Sequence, residues 1–162
     1  MKLYIKQKLT LRTKFDITDS EGCERYHVVG ELFSMTRKLH IYDSNGTEVA
    51  LIRRALMEFM PKFIIEKNGR KSACIKKKFT LMKPVYEVEG KGWRVQGDTW
   101  AHNYVIVNNG GGVIASIHKV WMSWGDSFEL DLNSPQDEVD LLAVILAIDM
   151  VMDDQAAASS GS

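Results

Sequence analysis

Residues 134–152 read SPQDEVDLLAVILAIDMVM and form a long apolar segment. The segment opens with helix-start signals, because Ser134 can cap a helix, Pro135 suits the first helical position and Asp137 favours the positive end of the helix dipole. The apolar residues that follow cover nearly the whole circumference of a helix. A helix that is apolar all round lies either in a membrane or inside protein.

The length of this helix separates the two settings. Residues 139–152 rise by about 21 Å at 1.5 Å per residue, whereas a bilayer core needs about 30 Å, or roughly 20 apolar residues. Asp140 and Asp149 lie near the ends of the run, and a carboxylate inside a bilayer is costly. The sequence therefore favours a helix enclosed by protein, and membrane insertion of 139–152 is the alternative.

The preceding part of the chain alternates apolar and polar residues in short runs separated by turn signals, which is typical of β-strands. Two Asn-Gly pairs, at 45–46 and 68–69, predict hairpins. A barrel that encloses a helix needs more than eight strands. We therefore expect a mainly β fold, a closed antiparallel barrel of about twelve strands around the hydrophobic helix. The predicted strands cover residues 3–17, 26–33, 38–42, 48–53, 62–66, 72–81, 85–89, 93–97, 104–107, 113–120 and 127–132.

The chain of 162 residues has the size of one domain. We expect a single barrel domain over residues 1–152, with the buried helix at about 135–152. Residues 153–162 would form the helix end and a polar tail. Cys23 and Cys74 have no zinc-ligand spacing and indicate reduced thiols, and no signal-peptide pattern opens the sequence. These features predict a cytoplasmic protein, with peripheral membrane association as a possibility.

The net charge is zero, with 21 basic and 21 acidic residues, which argues against a nucleic-acid binder. The charges are unevenly distributed, since residues 1–82 contain 17 basic and 9 acidic side chains and residues 83–162 contain 4 and 12. The difference would disappear if the two halves interleave in the barrel. If it persists, the molecule has a basic face and an acidic face.

No catalytic or cofactor motif is present in the sequence. The four histidines, at 27, 40, 102 and 118, lack metal-binding spacing, and no serine stands in a GxSxG motif. The glycines at 90, 92 and 110–112 lack the spacing of a phosphate-binding loop and predict hairpin turns. We therefore expect a protein that is not an enzyme, with no metal, no cofactor and no dedicated small-molecule substrate.

The basic residues are the strongest binding candidates in the sequence. They can form a face that docks on anionic lipid headgroups, or they can be a solvated barrel exterior on which lysines prevent strand-to-strand association. A protein partner is a further possibility. The candidate headgroup ligands are Lys76, Lys77, Lys78, Lys2, Lys6, Lys8, Arg53 and Arg54.

Two further features have structural explanations. Asp149 interrupts the apolar helix, and a buried carboxylate needs a partner. We expect that partner to be barrel backbone or an inward Arg or Lys, with a polar ligand or cation site as the alternative. Trp121, Trp124 and Phe128 surround Gly125-Asp126, and we expect core packing there in preference to a base-stacking platform.

Four short segments resemble the LURP-one-related family, whose bacterial members include YxjI-like proteins. They are MPKF at 60–63, WMSWGDSF at 121–128, AID at 147–149 and DQAAASS at 154–160. The similarity runs along nearly the whole chain and is most specific in its C-terminal part. It implies the fold of the tubby C-terminal domain and of phospholipid scramblases, a twelve-stranded barrel around a hydrophobic helix.

The resemblance implies no established activity for the bacterial branch. Tubby domains bind phosphoinositides and scramblases move lipids, but no ligand-binding motif of either group matches this sequence residue by residue. We therefore expect a non-catalytic binding or scaffold module that docks on anionic lipid or on a protein. The alternative function is that of a membrane-associated, scramblase-like protein that uses the apolar helix at 139–152.

Overall fold

The computed structural model describes residues 1–8, 12–31, 37–56, 59–78, 85–122 and 125–161, with the backbone alone at residues 121, 122, 125 and 126. These residues form twelve β-strands, one 3₁₀ turn at Pro135–Asp137 and one α-helix, α1, at Glu138–Ser160. The strands are β1 (Lys2–Lys8), β2 (Lys14–Asp19), β3 (Glu24–Gly30), β4 (Lys38–Asp43), β5 (Glu48–Arg54), β6 (Lys62–Lys67), β7 (Arg70–Lys78), β8 (Val85–Glu89), β9 (Trp93–Asp98), β10 (Asn103–Val107), β11 (Val113–Met122) and β12 (Gly125–Leu132).

The strands close into one antiparallel barrel in simple sequence order. Each strand pairs with its neighbours along the chain, and β12 pairs with β1 to complete the ring. This confirms the predicted closed barrel. The predicted run at 3–17 was wrong as one strand, since it forms two strands, β1 and β2, that pair antiparallel. Parts of the predicted runs, at 9–11, 32–33 and 79–81, lie outside the described residues.

Alternation of side chains builds the barrel wall. Leu3 and Ile5 of β1 point into the barrel and are completely buried, whereas Tyr4 between them and Lys2 and Lys6 beside them point outward. The predicted hairpin at Asn68-Gly69 is confirmed, since both residues have positive φ, 51° and 70°. A two-residue type I′ turn requires this conformation at both positions.

The helix α1 fills the interior of the barrel. Each residue from 141 to 148 is at most 3% exposed, and the inward side chains of the strands surround the helix in one apolar core. The pattern of apolar residues on all sides of the helix is thus explained by enclosure in protein. The helix continues past residue 152 to Ser160, and residues 156–160 are exposed.

The start of the helix differs in one respect from the prediction. Pro135 occupies the first position of the 3₁₀ turn, as expected. Ser134 makes no capping bond to the backbone, so that prediction was wrong. Its hydroxyl instead donates to the carboxylate of Asp137 at 2.7 Å. The 3₁₀ turn places this carboxylate within reach, and it competes with the backbone N–H groups.

The two ends of the barrel are defined by the helix. The lower rim is the end where α1 begins, and it consists of strand ends and connections at residues 1–2, 19–24, 43–48, 67–70, 89–93, 107–113 and 132–140. The upper rim is the end where α1 emerges. Its described parts lie within 8–14, 30–38, 54–62, 78–85, 98–103 and 122–125, together with helix residues from 153 onward.

Candidate functional site

At the lower rim, Asp140 in the first turn of α1 binds three barrel side chains. Its carboxylate accepts hydrogen bonds from Lys91 at 2.8 Å, Lys67 at 2.9 Å and the Ser72 hydroxyl at 2.8 Å. The carboxylate side chain is 3% exposed. Burial alone would raise the pKa of Asp140, but the bonds from Lys91, Lys67 and Ser72 outweigh burial and lower it. Asp140 therefore fixes the helix to the connections at 67–70 and 89–93.

At the upper rim, Asp149 pairs with a histidine. The distance from His102 Nε2 to Asp149 Oδ1 is 3.3 Å, and the His102 ring stacks on Phe128 with ring centres 4.2 Å apart. His102 has a φ of +50°, a strained conformation for a residue other than glycine. The sequence predicted barrel backbone, Arg or Lys as the partner of Asp149, whereas the partner in the structure is His102.

The role of Asp149 is expected to be structural, so Asp149→Ala should lower Tm by about 2–4 °C, equivalent to about 1 kcal/mol for a lost hydrogen bond. His102→Asn should have a similar effect, since Asn tolerates positive φ but does not reproduce the imidazole contact. The two changes together should cost little more than either one alone. Thermal unfolding followed by circular dichroism checks this, and an unchanged midpoint for Asp149→Ala would contradict it.

Two arginines hold α1 where it emerges at the upper rim. Arg37 pairs with Asp153 at 3.2 Å and with Asp154, and Arg54 contacts Asp154 at 3.4 Å. These cations neutralise two adjacent carboxylates on the part of the helix that emerges from the barrel. Arg37 was not among the residues singled out from the sequence, because it lies more than 110 residues from its partners.

The predicted basic residues do not share one lateral face. Strands β1 and β7 are opposite each other in the twelve-stranded ring, so Lys2 and Lys6 lie on the far side of the barrel from Lys76. Several of these cations also pair with neighbouring carboxylates. The pairs are Lys76 with Glu89 (2.6 Å), Lys78 with Glu87 (2.6 Å), Lys2 with Glu129 (2.6 Å), Lys8 with Asp16 (2.5 Å) and Arg53 with Glu66 (2.7 Å).

The remaining candidates differ in which side of the barrel wall they occupy. Lys77 lies on the inward face of β7, and burial lowers its pKa. Arg54 similarly reaches the helix, although Arg53 next to it points outward. Lys6 lines an outer groove of about 350 Å³ beside Tyr4 and Asp16. A lipid-binding role for these residues stays a prediction.

The upper rim is where candidates from separate strands converge. Strands β1, β5 and β7 all end there, which brings Lys8, Arg54 and Lys78 to one end of the molecule. Together with their neighbours they make the described part of the upper rim basic, with eight cationic and four anionic side chains. The cations are Lys8, Arg12, Lys14, Arg37, Lys38, Arg54, Lys62 and Lys78, and the anions are Glu31, Asp98, Asp153 and Asp154.

The lower rim has the opposite charge. Among its described residues, nine side chains are anionic and four are cationic. The anions are Asp19, Glu21, Glu24, Asp43, Glu48, Glu89, Asp137, Glu138 and Asp140, and the cations are Lys2, Lys67, Arg70 and Lys91. The barrel is therefore polarised along its axis, with a basic upper rim and an acidic lower rim.

Other types of site have little support in the described part of the chain. No group of three or more His, Cys, Asp or Glu side chains there could hold a metal ion. Cys23 is exposed and Cys74 is buried, both as free thiols. Within the described residues, no helix has the length and apolar character needed to span a membrane. Of the predicted aromatic cluster, Phe128 is buried, Trp124 lies outside the described residues and the side chain of Trp121 is not described.

Comparison with known proteins extends the similarity over most of the chain. The sequence profile of the LURP-one-related family matches residues 1–153. The uncharacterized protein YxjI of Bacillus subtilis is 31% identical over 153 residues, which are 94% of each chain. An X-ray structure of a protein from Arabidopsis thaliana superposes with a TM-score of 0.63 at 15% identity, covering 91% of each chain, and this likeness concerns the fold alone.

Proposed function

The chain belongs to the LURP-one-related family, and from that premise we propose that it is a non-catalytic binding module that docks on anionic lipid headgroups through its upper rim. The observation that carries this proposal is the axial charge polarity, with an excess of four cations among the described upper-rim residues. Each cation near a charged membrane contributes about 1 kcal/mol of attraction. The acidic lower rim then orients the barrel, because it is repelled by the same surface.

A non-catalytic role is supported by the filled interior. In many barrel proteins a ligand occupies the lumen, but here α1 takes that space. Leu142, Ala143 and Val144 of the helix are completely buried. A substrate would have to displace the helix, so binding at a rim or at the outer wall is the favoured mode.

The scramblase-like alternative requires α1 to leave the barrel. That movement would break the Asp140 bonds to Lys67 and Lys91 and the contacts of Arg37 and Arg54 with the helix end. It would also expose the apolar inner wall of the barrel to water. Both costs favour the enclosed helix, so we propose peripheral docking in preference to insertion of 139–152.

Co-sedimentation with vesicles tests the proposed docking. We expect the protein to bind phosphatidylserine-containing vesicles and not pure phosphatidylcholine vesicles, with binding weakened between low and near-physiological salt. Lys14→Glu combined with Lys78→Glu at the upper rim should weaken binding at least about tenfold, since two attractive contributions are reversed. Arg70→Glu combined with Lys71→Glu, on the hairpin at the opposite end, is the matched control.

The control separates docking by one end from a general charge effect. Both double variants change the net charge by the same amount, so they should differ in vesicle binding if the upper rim is the contact surface. Equal loss in both would contradict docking through the upper rim. No binding of the unmodified protein to anionic vesicles at low salt would contradict lipid docking as a whole.

A further inference from the structure

Three large apolar side chains are exposed at the upper rim. Phe59 is 100% exposed and Leu56 is 60% exposed on the β5–β6 connection, and Trp100 is 53% exposed on the β9–β10 connection. The β5–β6 and β9–β10 connections both belong to the upper rim, with only the β7–β8 connection between them in the ring. The three side chains therefore extend from one end of the molecule.

Single exposed apolar residues are common, and it is the grouping of these three at one end of the molecule that points to an interaction surface. Met1, which is 45% exposed, and Val113, which is 44% exposed, lie at the lower rim, and neither is aromatic. Aromatic residues are enriched where proteins meet the interface of a bilayer, because their rings prefer the headgroup level. At the upper rim they stand among cations, and this combination suits an anionic bilayer in particular.

We propose that Leu56, Phe59 and Trp100 insert into the interfacial layer of an anionic phospholipid bilayer. The barrel then contacts the bilayer with its upper rim, and its axis is perpendicular to the membrane plane. This inference rests on the proposed docking function. It adds the orientation of the barrel on the bilayer and the contribution of apolar side chains to binding. Upper-rim cations such as Lys14 and Lys62 lie at the headgroup level in this arrangement. The helix residues 155–160, which project at the same end, carry no charged side chain.

The two rims can be probed separately with an environment-sensitive fluorophore attached to cysteine. Cys23 is exposed and lies at the lower rim, whereas Cys74 is buried, so the unmodified chain is labelled at Cys23. A Phe59→Cys, Cys23→Ser variant carries the label at the upper rim. With phosphatidylserine-containing vesicles, we expect the label at position 59 to shift to the blue and brighten, and the label at position 23 to stay unchanged.

The outcomes distinguish this inference from the function on which it rests. If co-sedimentation shows binding while neither label responds, the proposed docking stands and insertion of the upper rim is wrong. A response of both labels would also overturn the inference, because it would mean that the barrel has no fixed orientation. If the unmodified protein binds no anionic vesicle, the docking function itself fails.

Truncation of the apolar side chains gives an independent test. Phe59→Ser combined with Trp100→Ser should weaken binding to anionic vesicles about tenfold or more, since burial of each side chain favours the bound state. Tm should change little, because both side chains are exposed in the free protein. Val113→Ser at the lower rim is the control and should leave binding unchanged. Undiminished vesicle binding of the double variant would overturn the inference. A variant that changes only the association of protein molecules with one another, measured by sedimentation without vesicles, would also overturn it.

Discussion

Replacing Asp140 by asparagine is expected to lower the free energy of unfolding by about 3 kcal/mol and Tm by about 6–12 °C. The carboxylate is 3% exposed and binds two ammonium groups and a hydroxyl. Asparagine keeps the size of the side chain but removes its charge, so Lys67 and Lys91 lose their shared counter-ion. Chemical denaturation at pH 7 measures the change.

The control for this prediction is another acidic side chain outside the core. Asp131 is 39% exposed, and Asp131→Asn should cost less than about 1 kcal/mol, as is usual for surface charges. A similar loss for both variants would mean that the Asp140 contacts contribute no more than surface ion pairs.

The effect of Asp140→Asn should also depend on pH in a defined direction. The bonds from Lys91, Lys67 and Ser72 hold the pKa of Asp140 below its usual value despite burial. A group with a lowered pKa in the folded state stabilises the protein fully above its unfolded pKa of about 3.9 and loses that contribution as the pH falls through the folded pKa. The difference between the two proteins should therefore be constant from pH 7 to 5 and shrink below about pH 4. A difference that grows on acidification would contradict this.

Replacing Leu142 by alanine is expected to lower the free energy of unfolding by about 3–4 kcal/mol. Leu142 is completely buried in α1 inside the barrel, and the closed wall around it cannot collapse fully into the space left behind. Leu51 on the outer side of β5 is the matched control, and Leu51→Ala should cost less than half as much because it leaves no enclosed cavity. Thermal and urea unfolding of both variants check this. Equal losses would indicate that the helix packs loosely in the lumen.

The architecture was predictable because local patterns specify it. Strand alternation around Leu3 and Ile5, the Asn68-Gly69 turn and the apolar circumference of 139–152 each follow from nearby residues. The partners of the charged residues do not. Asp140 meets Lys67 and Lys91 from two different hairpins, and no local pattern connects residues that lie 73 and 49 positions apart.

The uneven charge along the sequence has a structural explanation that no local sequence pattern indicates. The strands follow one another in order, so the two halves of the chain do not interleave. The acidic ends of α1 instead pair with basic residues of the first half of the chain. These pairs are Arg25 with Glu138, Lys67 with Asp140, Arg37 with Asp153 and Asp154, and Arg54 with Asp154. Much of the charge difference between the two halves of the sequence therefore consists of ion pairs that attach the helix to the barrel.

Two neighbouring arginines also show that the sequence does not reveal the partners of charged residues. Arg53 and Arg54 looked equivalent as lipid ligands in the sequence, but adjacent strand residues face opposite sides of the wall. Arg53 pairs with Glu66 on the outside, whereas Arg54 reaches Asp154 of the helix. The exposed Phe59 was missed for a different reason, because an apolar residue in a connection gives no signal that separates exposure from packing.

The pairing of β12 with β1 has a consequence for the folding kinetics. Eleven of the twelve strand pairs join neighbours in sequence, but this pair joins residues about as far apart as Lys2 and Asp131. Loop closure over such a distance is slow compared with hairpin formation. Until it occurs, β1 and β12 are open edges that can recruit strands from other molecules. We therefore expect refolding yield to fall with protein concentration, and the formation of this one seam to limit the rate at which the native barrel appears.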